Sequence, residues 1–368
     1  MKSPDNIAQR YSAQLTEKVE RLTHLLQPFA APELEVFASP PEHYRMRAEF
    51  RVWHDGDDLY YVMFNSETKE KYRVDQFPIG NTLINRLMPE VLNYVRDNPV
   101  LRQRLFQVDF LTTTTNQALI SLLYHRQLDD VWLAEAESMR MHLQAFATVD
   151  LIGRARKQKH VLHRDFVVET LEVEGQPFHF EHIENSFTQP NAAINCEMIG
   201  WARSTNQNPE RDLLELYCGN GNFSLPLATN FRRVLGTEIS RSSVESAKKN
   251  IQMNTIENVA IERLSAEECS AAIQGDGLPT RLKHIDLSDY DFSTVLVDPP
   301  RAGLDQATVE MVAQFDAIIY ISCNPETLAE NLATLKKTHD VTRAALFDQF
   351  PFTHHIEAGV YLTRKTSG

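Results

Sequence analysis

The chain has 368 residues, 42% of them hydrophobic and 24% charged, an ordinary balance for a soluble globular protein and enough length for two domains. A net charge of −13 gives no general attraction for nucleic acid, so a polyanion would have to be held by a local basic patch. The polar start MKSPDNIAQR has no secretory apolar stretch, no run is long enough for a membrane-spanning helix, and four scattered cysteines without a CxxC pair argue against a disulfide framework, a metal site or an iron–sulfur cluster. A reducing cytoplasm is the expected setting.

In chain order, RYSAQLTEKVERLTHLL (10–26) predicts an amphipathic helix with Leu15, Val19, Leu22 and Leu26 on one face. HYRMRAEFRVW (43–53) alternates as a strand does: Tyr44, Met46, Ala48, Phe50 and Val52 point one way, and Arg45, Arg47, Glu49 and Arg51 the other. The turn HDGDD and the run LYYVMF complete a hairpin, and LFQVDFLTTTT with ALISLLYH forms another pair around Asn116. LIGRARKQKHVLHR (151–164) carries five Arg or Lys residues and no acid, a candidate phosphate contact.

From Asp212 the rhythm changes to alternating strands and helices. Strands are expected at 212–218, 233–238, 259–265, 294–300 and 317–323. Helices are expected at FSLPLATNF, at 240–254 with Ser240 as N-cap, at DQATVEMVAQF and at TLAENLATLKKTH. TRAALFDQF and AGVYLTR close the chain without a helix between them. This predicts an α/β fold: a mostly parallel, Rossmann-like seven-stranded sheet with one antiparallel edge. The expected division is an α+β domain over 1–180 and the α/β domain over 181–368.

Three corners of that sheet carry chemistry. CGNGN (218–222) follows a strand and opens a helix, with Glu238 placed at the end of the next strand to accept from a ribose diol. A dinucleotide fits this pattern, but Ser224 stands where GxGxxG has its third glycine. That favours a ligand without a pyrophosphate, such as S-adenosylmethionine. LVDPPRAGL (296–304) is a proline-stiffened corner that presents the Asp298 carboxylate and the Arg301 fork. In ISCNPETL (321–328), Asn324 suits an N-cap and Pro325 the first helical position, so Cys323 sits at a helix N-terminus, where thiolate is favoured over thiol. A lone cysteine is more often a small buried hydrophobe. Beside a methyl donor, however, a thiolate could add to C6 of a uracil and make C5 nucleophilic, and a base would then remove the C5 proton. FPFTHHIEAGV (350–360) offers Glu357, already ionised at neutral pH, with His354 and His355 as lesser candidates.

FTQPN (187–191), ELYCGNGNFS (215–224), VDPPRAGL, SCNPETL and FPFTHHIE together resemble the tRNA (uracil-5-)-methyltransferases of the TrmA type, and HYRMRAEFRVWHDGDDLY extends the resemblance into the first half. The resemblance implies methylation of the T-loop uridine (position 54) of tRNA with S-adenosyl-L-methionine, and extends to T-loops such as that of tmRNA. It implies Cys323 as nucleophile, Glu357 as base, and Gln189, Tyr217, Asn222, Glu238 and Asp298 as cofactor-binding positions. Arg301 would contact the target base, and Arg51, Phe106 and His125 the T-arm, making the first domain an RNA-recognition domain. The target uridine would have to be flipped out of its loop. No metal, iron–sulfur cluster, membrane or obligate protein partner is expected. Related ribosomal-RNA enzymes often carry an OB-like domain and a cysteine cluster, and here Cys196 is the first cysteine. The rivals are an RNA cytosine-5 methyltransferase, which usually has a second cysteine where Arg301 stands, a non-catalytic RNA-binding protein, and a dehydrogenase.

Overall fold

The computed structural model describes residues 4–65, 68–276, 279 and 285–366. It opens with α1 (Pro4–Leu26) and β1 (Glu35–Phe37). β2 (Arg47–Asp55), β3 (Asp58–Phe64), β4 (Lys71–Arg73), α2 (Thr82–Asp97), α3 (Pro99–Arg102), β5 (Leu105–Thr112), β6 (Gln117–Tyr124), α4 (Asp130–Leu143), β7 (Thr148–Ala155) and β8 (Gln158–Leu162) follow. The hairpin β9 (Phe166–Val173) and β10 (Gln176–Ile183) leads to α5 (Ala192–Thr205). The remainder is β11 (Asp212–Leu216), β12 (Val234–Glu238), α6 (Arg241–Met253), β13 (Val259–Arg263), α7 (Ala266–Ala271), β14 (Phe292–Val297), α8 (Gln306–Val312), β15 (Ala317–Ser322), α9 (Pro325–Leu335), β16 (His339–Phe347) and β17 (Glu357–Arg364).

The chain divides into two compact units. One contains residues 1–41, 171–180 and 193–368, and the other residues 42–170 and 181–192. The sequence expectation of one domain over 1–180 therefore differs from the contacts. α1 buries Leu22 and Leu26 in the same apolar cluster as Leu328, Leu332 and Leu335 of α9, so it packs with residues that follow it by some 300 positions.

The first unit holds an eight-stranded sheet in the order β1-β16-β17-β15-β14-β11-β12-β13. β11 and β15 are buried along their whole length, as strands covered on both faces must be. The expected α/β fold is present, with two corrections to the sheet. It has eight strands because Glu35–Phe37 pairs in parallel with β16, a three-residue strand too short to leave a periodic signal. The antiparallel strand β17 is inserted between β15 and β16 and is not an edge. FSLPLATNF forms only a short 3-10 turn over Pro226–Asn230, where Pro226 removes a backbone donor.

The second unit is a seven-stranded sheet, β4-β3-β2-β5-β6-β7-β8, antiparallel except for β6 against β7, which α4 joins by a crossover. Its core gathers Phe50, Tyr61, Phe110, Leu87, Val91 and Trp132. The alternation read at 44–52 holds: Tyr44, Met46, Ala48, Phe50 and Val52 are buried, and Glu49 and Arg51 are exposed. No helix among the described residues is long and apolar enough to cross a membrane.

Candidate active site

The site forms at the carboxyl ends of the parallel strands. β12, β11, β14 and β15 lie side by side, with Leu216 in register with Thr237 and Val297, and Val297 with Tyr320. The residues that leave these strand ends are Glu238, Tyr217, Asp298 and Cys323. β17 completes the row from the opposite direction. Its last registered pair with β15 is Ser322 with Ala358, so Cys323 and Glu357 lie on either side of that pair's end. A sheet of this topology presents ligands and chemistry along this rim.

The glycine corner is built to leave room. Tyr217, Gly219 and Gly221 all have positive φ, at 60°, 55° and 88°. A tyrosine in the left-handed region costs about 1–3 kcal/mol and persists only where its surroundings impose it. At Gly219 an added Cβ would meet nothing within 4 Å, whereas at Gly221 it would strike Leu225 at 2.3 Å. The first glycine faces open space and the second permits close packing beneath it. Glu238 ties the corner together, accepting from the Gly219 N–H at 3.1 Å and the Ser240 N–H at 2.7 Å. Ser240 caps α6 as the sequence predicts. Asn222 exchanges two amide hydrogen bonds with Asn195 of α5, at 2.8 and 2.9 Å, a pairing no local pattern announces. Below the loop, the buried Glu215 accepts from Ser224 Oγ while its Oε1 has no protein partner among the described residues. Burial pushes that carboxyl up to about 8. Glu215 carried no sequence signal because it stands inside an apolar strand.

The thiol corner is closed on itself. Asn324 caps α9 by accepting from the Glu326 N–H, and its amide donates to the Arg301 carbonyl at 2.9 Å, which fixes the Asp-Pro-Pro-Arg turn against the helix mouth. Pro325 is the first helical residue. The expected helix mouth is present, and the surroundings work against the expected thiolate. Cys323 is pushed up to about 11 by burial, with Glu357 and Asp298 reinforcing the rise and Arg301 opposing it. Burial and two carboxyls outweigh the helix end and one guanidinium. Glu357 is buried and held well above the ordinary carboxylate range, and Asp298 rises to about 7, both through burial. Asp298 reinforces the rise at Glu357, an environment the sequence did not announce. Arg301 itself is exposed. His354 and His355 are exposed too, and burial and then Arg301 lower the His355 imidazole below its usual value.

The motif set behind these corners matches the tRNA (Uracil-5-)-methyltransferase family over residues 10–365. The chain belongs to that family. It is 58% identical over 361 residues to the tRNA/tmRNA (uracil-C(5))-methyltransferase of Vibrio vulnificus (strain CMCP6), covering 97% of this chain and 98% of that one. It is 56% identical over 365 residues to the enzyme of the same description from Klebsiella pneumoniae, covering 99% and 100%. The fold matches the crystal structure of Pyrococcus abyssi tRNA (uracil-54, C5)-methyltransferase in complex with S-adenosyl-L-homocysteine, with a TM-score of 0.73 at 19% identity, over 96% of this chain and 83% of that one.

The remaining positions suggested by the family lie in the second unit. Gln189 is half-buried in the irregular segment after β10. The Phe106 and His125 rings stack on each other, with centroids 3.8 Å apart and planes 10° apart, and the Arg51 guanidinium lies 5.3 Å from the Phe106 centroid. A register break between Leu105 and Gln107 marks a β-bulge at Phe106, a device that re-aims a side chain. Val52, His54, Arg104 and Leu105 complete a shallow groove around the stack. The basic run 151–164 is ion-paired in part. It folds as the end of β7, a turn and β8, and Arg154 binds Glu184 at 2.6 Å, Lys159 binds Asp165 at 2.7 Å, and Arg164 binds Asp150 at 2.8 Å. The acids lie outside the run, so three of its five cations are matched in space, while Arg156 and Lys157 are exposed.

Proposed function

We propose that this protein methylates C5 of a uridine in tRNA, the T-loop uridine at position 54, using S-adenosylmethionine, and that it also accepts T-loops such as that of tmRNA. The observation that carries the mechanism is the pairing of Cys323 and Glu357 across the end of the β15–β17 register, beside Asp298. Two features fit the cofactor to this rim. The Gly219 corner has open space above it, and the crowded carboxyls are raised in pKa, an environment that a sulfonium charge would relieve. Tyr217, Asn222, Glu238 and Asp298 would hold it, and Glu238 has carboxylate lone pairs left for a ribose diol. When bound, it supplies an electrophilic methyl group.

The protein's own residues do the rest. Cys323 gives its proton to solvent as its sulfur bonds to uracil C6, and the C5=C6 electron pair moves into an enolate. Arg301 lowers the thiol's pKa and would meet the ring's oxygens. Once C5 has taken the methyl, Glu357 accepts the C5 proton, the C6–S bond breaks, and thiolate departs as the double bond reforms. A carboxyl with a raised pKa is a stronger acceptor once ionised, so the burial that slows its ionisation increases its basicity. In the second unit, Phe106, His125 and Arg51 would stack on and hold unstacked T-loop bases. The free thiols fit a reducing cytoplasm.

Nucleoside analysis of tRNA treated with the protein and labelled S-adenosylmethionine is the direct test. The expected product is 5-methyluridine at one site, and methylcytidine as the sole product would refute the reading. A stable adduct with 5-fluorouridine RNA is expected through Cys323, because fluorine cannot leave as a proton.

A further inference from the structure

The segment between β16 and β17 carries the proposed base at its end, and α1 grips it from outside the row of strand ends. Gln14, Lys18 and Arg21 stand about one turn apart on one face of α1. Gln14 Nε2 donates to the Thr353 carbonyl at 2.7 Å, and its Oε1 accepts from the Phe352 N–H at 2.6 Å. Lys18 Nζ donates to Asp348 Oδ1 at 2.6 Å and to the Phe350 carbonyl at 2.9 Å. Arg21 donates to the His354 carbonyl at 3.2 Å and also pairs with Glu326 in the first turn of α9. The Tyr11 ring meets Phe352 edge-on at 5.9 Å.

Two features separate this contact from ordinary packing. Lys18 and Asp348 are 4% and 0% exposed, a buried ion pair. Such a pair adds little stability over apolar residues of the same size, but it does fix geometry. Burial lowers the Lys18 ammonium, consistent with that cost. Phe352 also has φ of 60°, a left-handed conformation for an aromatic residue, and its N–H is the one that Gln14 holds. The grip ends at His354, three residues before Glu357, while Arg21 reaches the helix that starts just after Cys323. α1 thus joins the base's loop to the nucleophile's helix.

We propose that α1 is a positioning strut for the reaction, with Lys18 as its main positioning residue and Gln14 and Arg21 in support, and that it sets the angle at which Glu357 faces the C5 proton. This rests on the reading of Glu357 as the base. Addition of Cys323 to C6 and methylation of C5 precede the proton removal, so loosening the strut slows the last step selectively. Misplacement by about 1 Å can cost on the order of 100-fold in rate.

The test uses the full chain with Lys18→Met, and Gln14→Leu as a second variant on the part-exposed face in case the first does not fold. Turnover on tRNA is expected to fall by roughly 10- to 100-fold while KM for tRNA and for S-adenosylmethionine stays within about twofold. Covalent enzyme–RNA adduct on ordinary uridine tRNA is expected to accumulate on a denaturing gel, as is expected of Glu357→Gln. With 5-fluorouridine tRNA, where the base has no proton to remove, the adduct is expected to form at the wild-type rate. A general loss of structure would slow both reactions alike and overturn the proposal. If Glu357→Gln accumulates adduct and neither strut variant does, the strut alone falls. If Glu357→Gln accumulates none, the base reading falls and takes the strut with it.

Discussion

At the strand ends of the first unit, Cys323, Glu357 and Asp298 share a corner in which each group is raised in pKa and the opposing cation, Arg301, is exposed. On the β7–β8 hairpin of the second unit, Arg154, Lys159 and Arg164 each have a carboxylate within 3 Å, and Asp150 and Glu184 are buried beneath them. Charge left electrostatically frustrated marks the place where a bound ligand completes the set, while charge already matched marks architecture. The stack of Phe106, His125 and Arg51 lies between these cases, because its arginine faces an aromatic ring and, among the described residues, pairs with no carboxylate.

The largest expected effects fall on the frustrated corner. Cys323→Ala is expected to abolish methyl transfer and 5-fluorouridine adduct formation while tRNA affinity, read by filter binding, stays within about threefold, since binding energy and chemistry are separable in such variants. A variant that still transferred methyl would remove the contrast between the two units. Glu357→Gln is expected to lower turnover by roughly 10²- to 10⁴-fold, the usual weight of a general base, and to leave adduct on ordinary uridine.

The same corner has a pH signature. With the Cys323 thiol near 11, the thiolate fraction rises by about tenfold per pH unit throughout the neutral range. Alkylation of Cys323 in the free protein, mapped by peptide mass, should therefore climb between about pH 7 and pH 9 by somewhat under 100-fold. The shortfall arises because Asp298, near 7, gains negative charge over the same range and holds the thiol up. Glu357→Gln removes one opposing carboxyl and is expected to speed alkylation at any given pH. A flat profile would show that the thiol is already ionised and that the helix mouth prevails.

How much of this was legible beforehand depended on the distance over which each signal acts. The Cys323 corner could be read because cap, proline and thiol are consecutive, and the left-handed turn at 217–221 because glycines mark it. The upward pull on the thiol's pKa could not, since Glu357 lies 34 positions away and burial is a property of the fold. α1 showed its apolar stripe, yet Lys18 reads as a solvated residue on the polar face and is in fact buried against Asp348. In the 151–164 run the pairing of Arg154 was hidden for the same reason, since Glu184 stands twenty residues beyond it, although Asp150 and Asp165 flank the run directly.

A smaller effect is expected at the aromatic stack. Phe106→Ala should cost roughly 1–3 kcal/mol of T-arm affinity, the weight of one stacked base, with kcat at saturating tRNA little changed. Loss of kcat without loss of affinity would mean that the ring orders the catalytic state and does not hold RNA.

The finest test compares two arginines by the salt dependence of tRNA binding. Each phosphate neutralised by a protein cation contributes roughly one unit to the slope of log affinity against log salt. Arg51 is exposed and lies against Phe106, so Arg51→Ala is expected to flatten the slope by about one unit with little change in melting temperature. Arg154 spends its guanidinium on both oxygens of Glu184, each at 2.6 Å, with Lys159 and Ser121 left among the described residues to replace it. Arg154→Ala is therefore expected to leave the slope unchanged and to cost roughly 1–3 kcal/mol of stability, the range for a lost hydrogen bond to a charged group. If the two variants exchanged these outcomes, with Arg154 setting the salt slope and Arg51 the melting point, matched charge would be shown to open for RNA, and the division between architecture and contact would have to be drawn elsewhere.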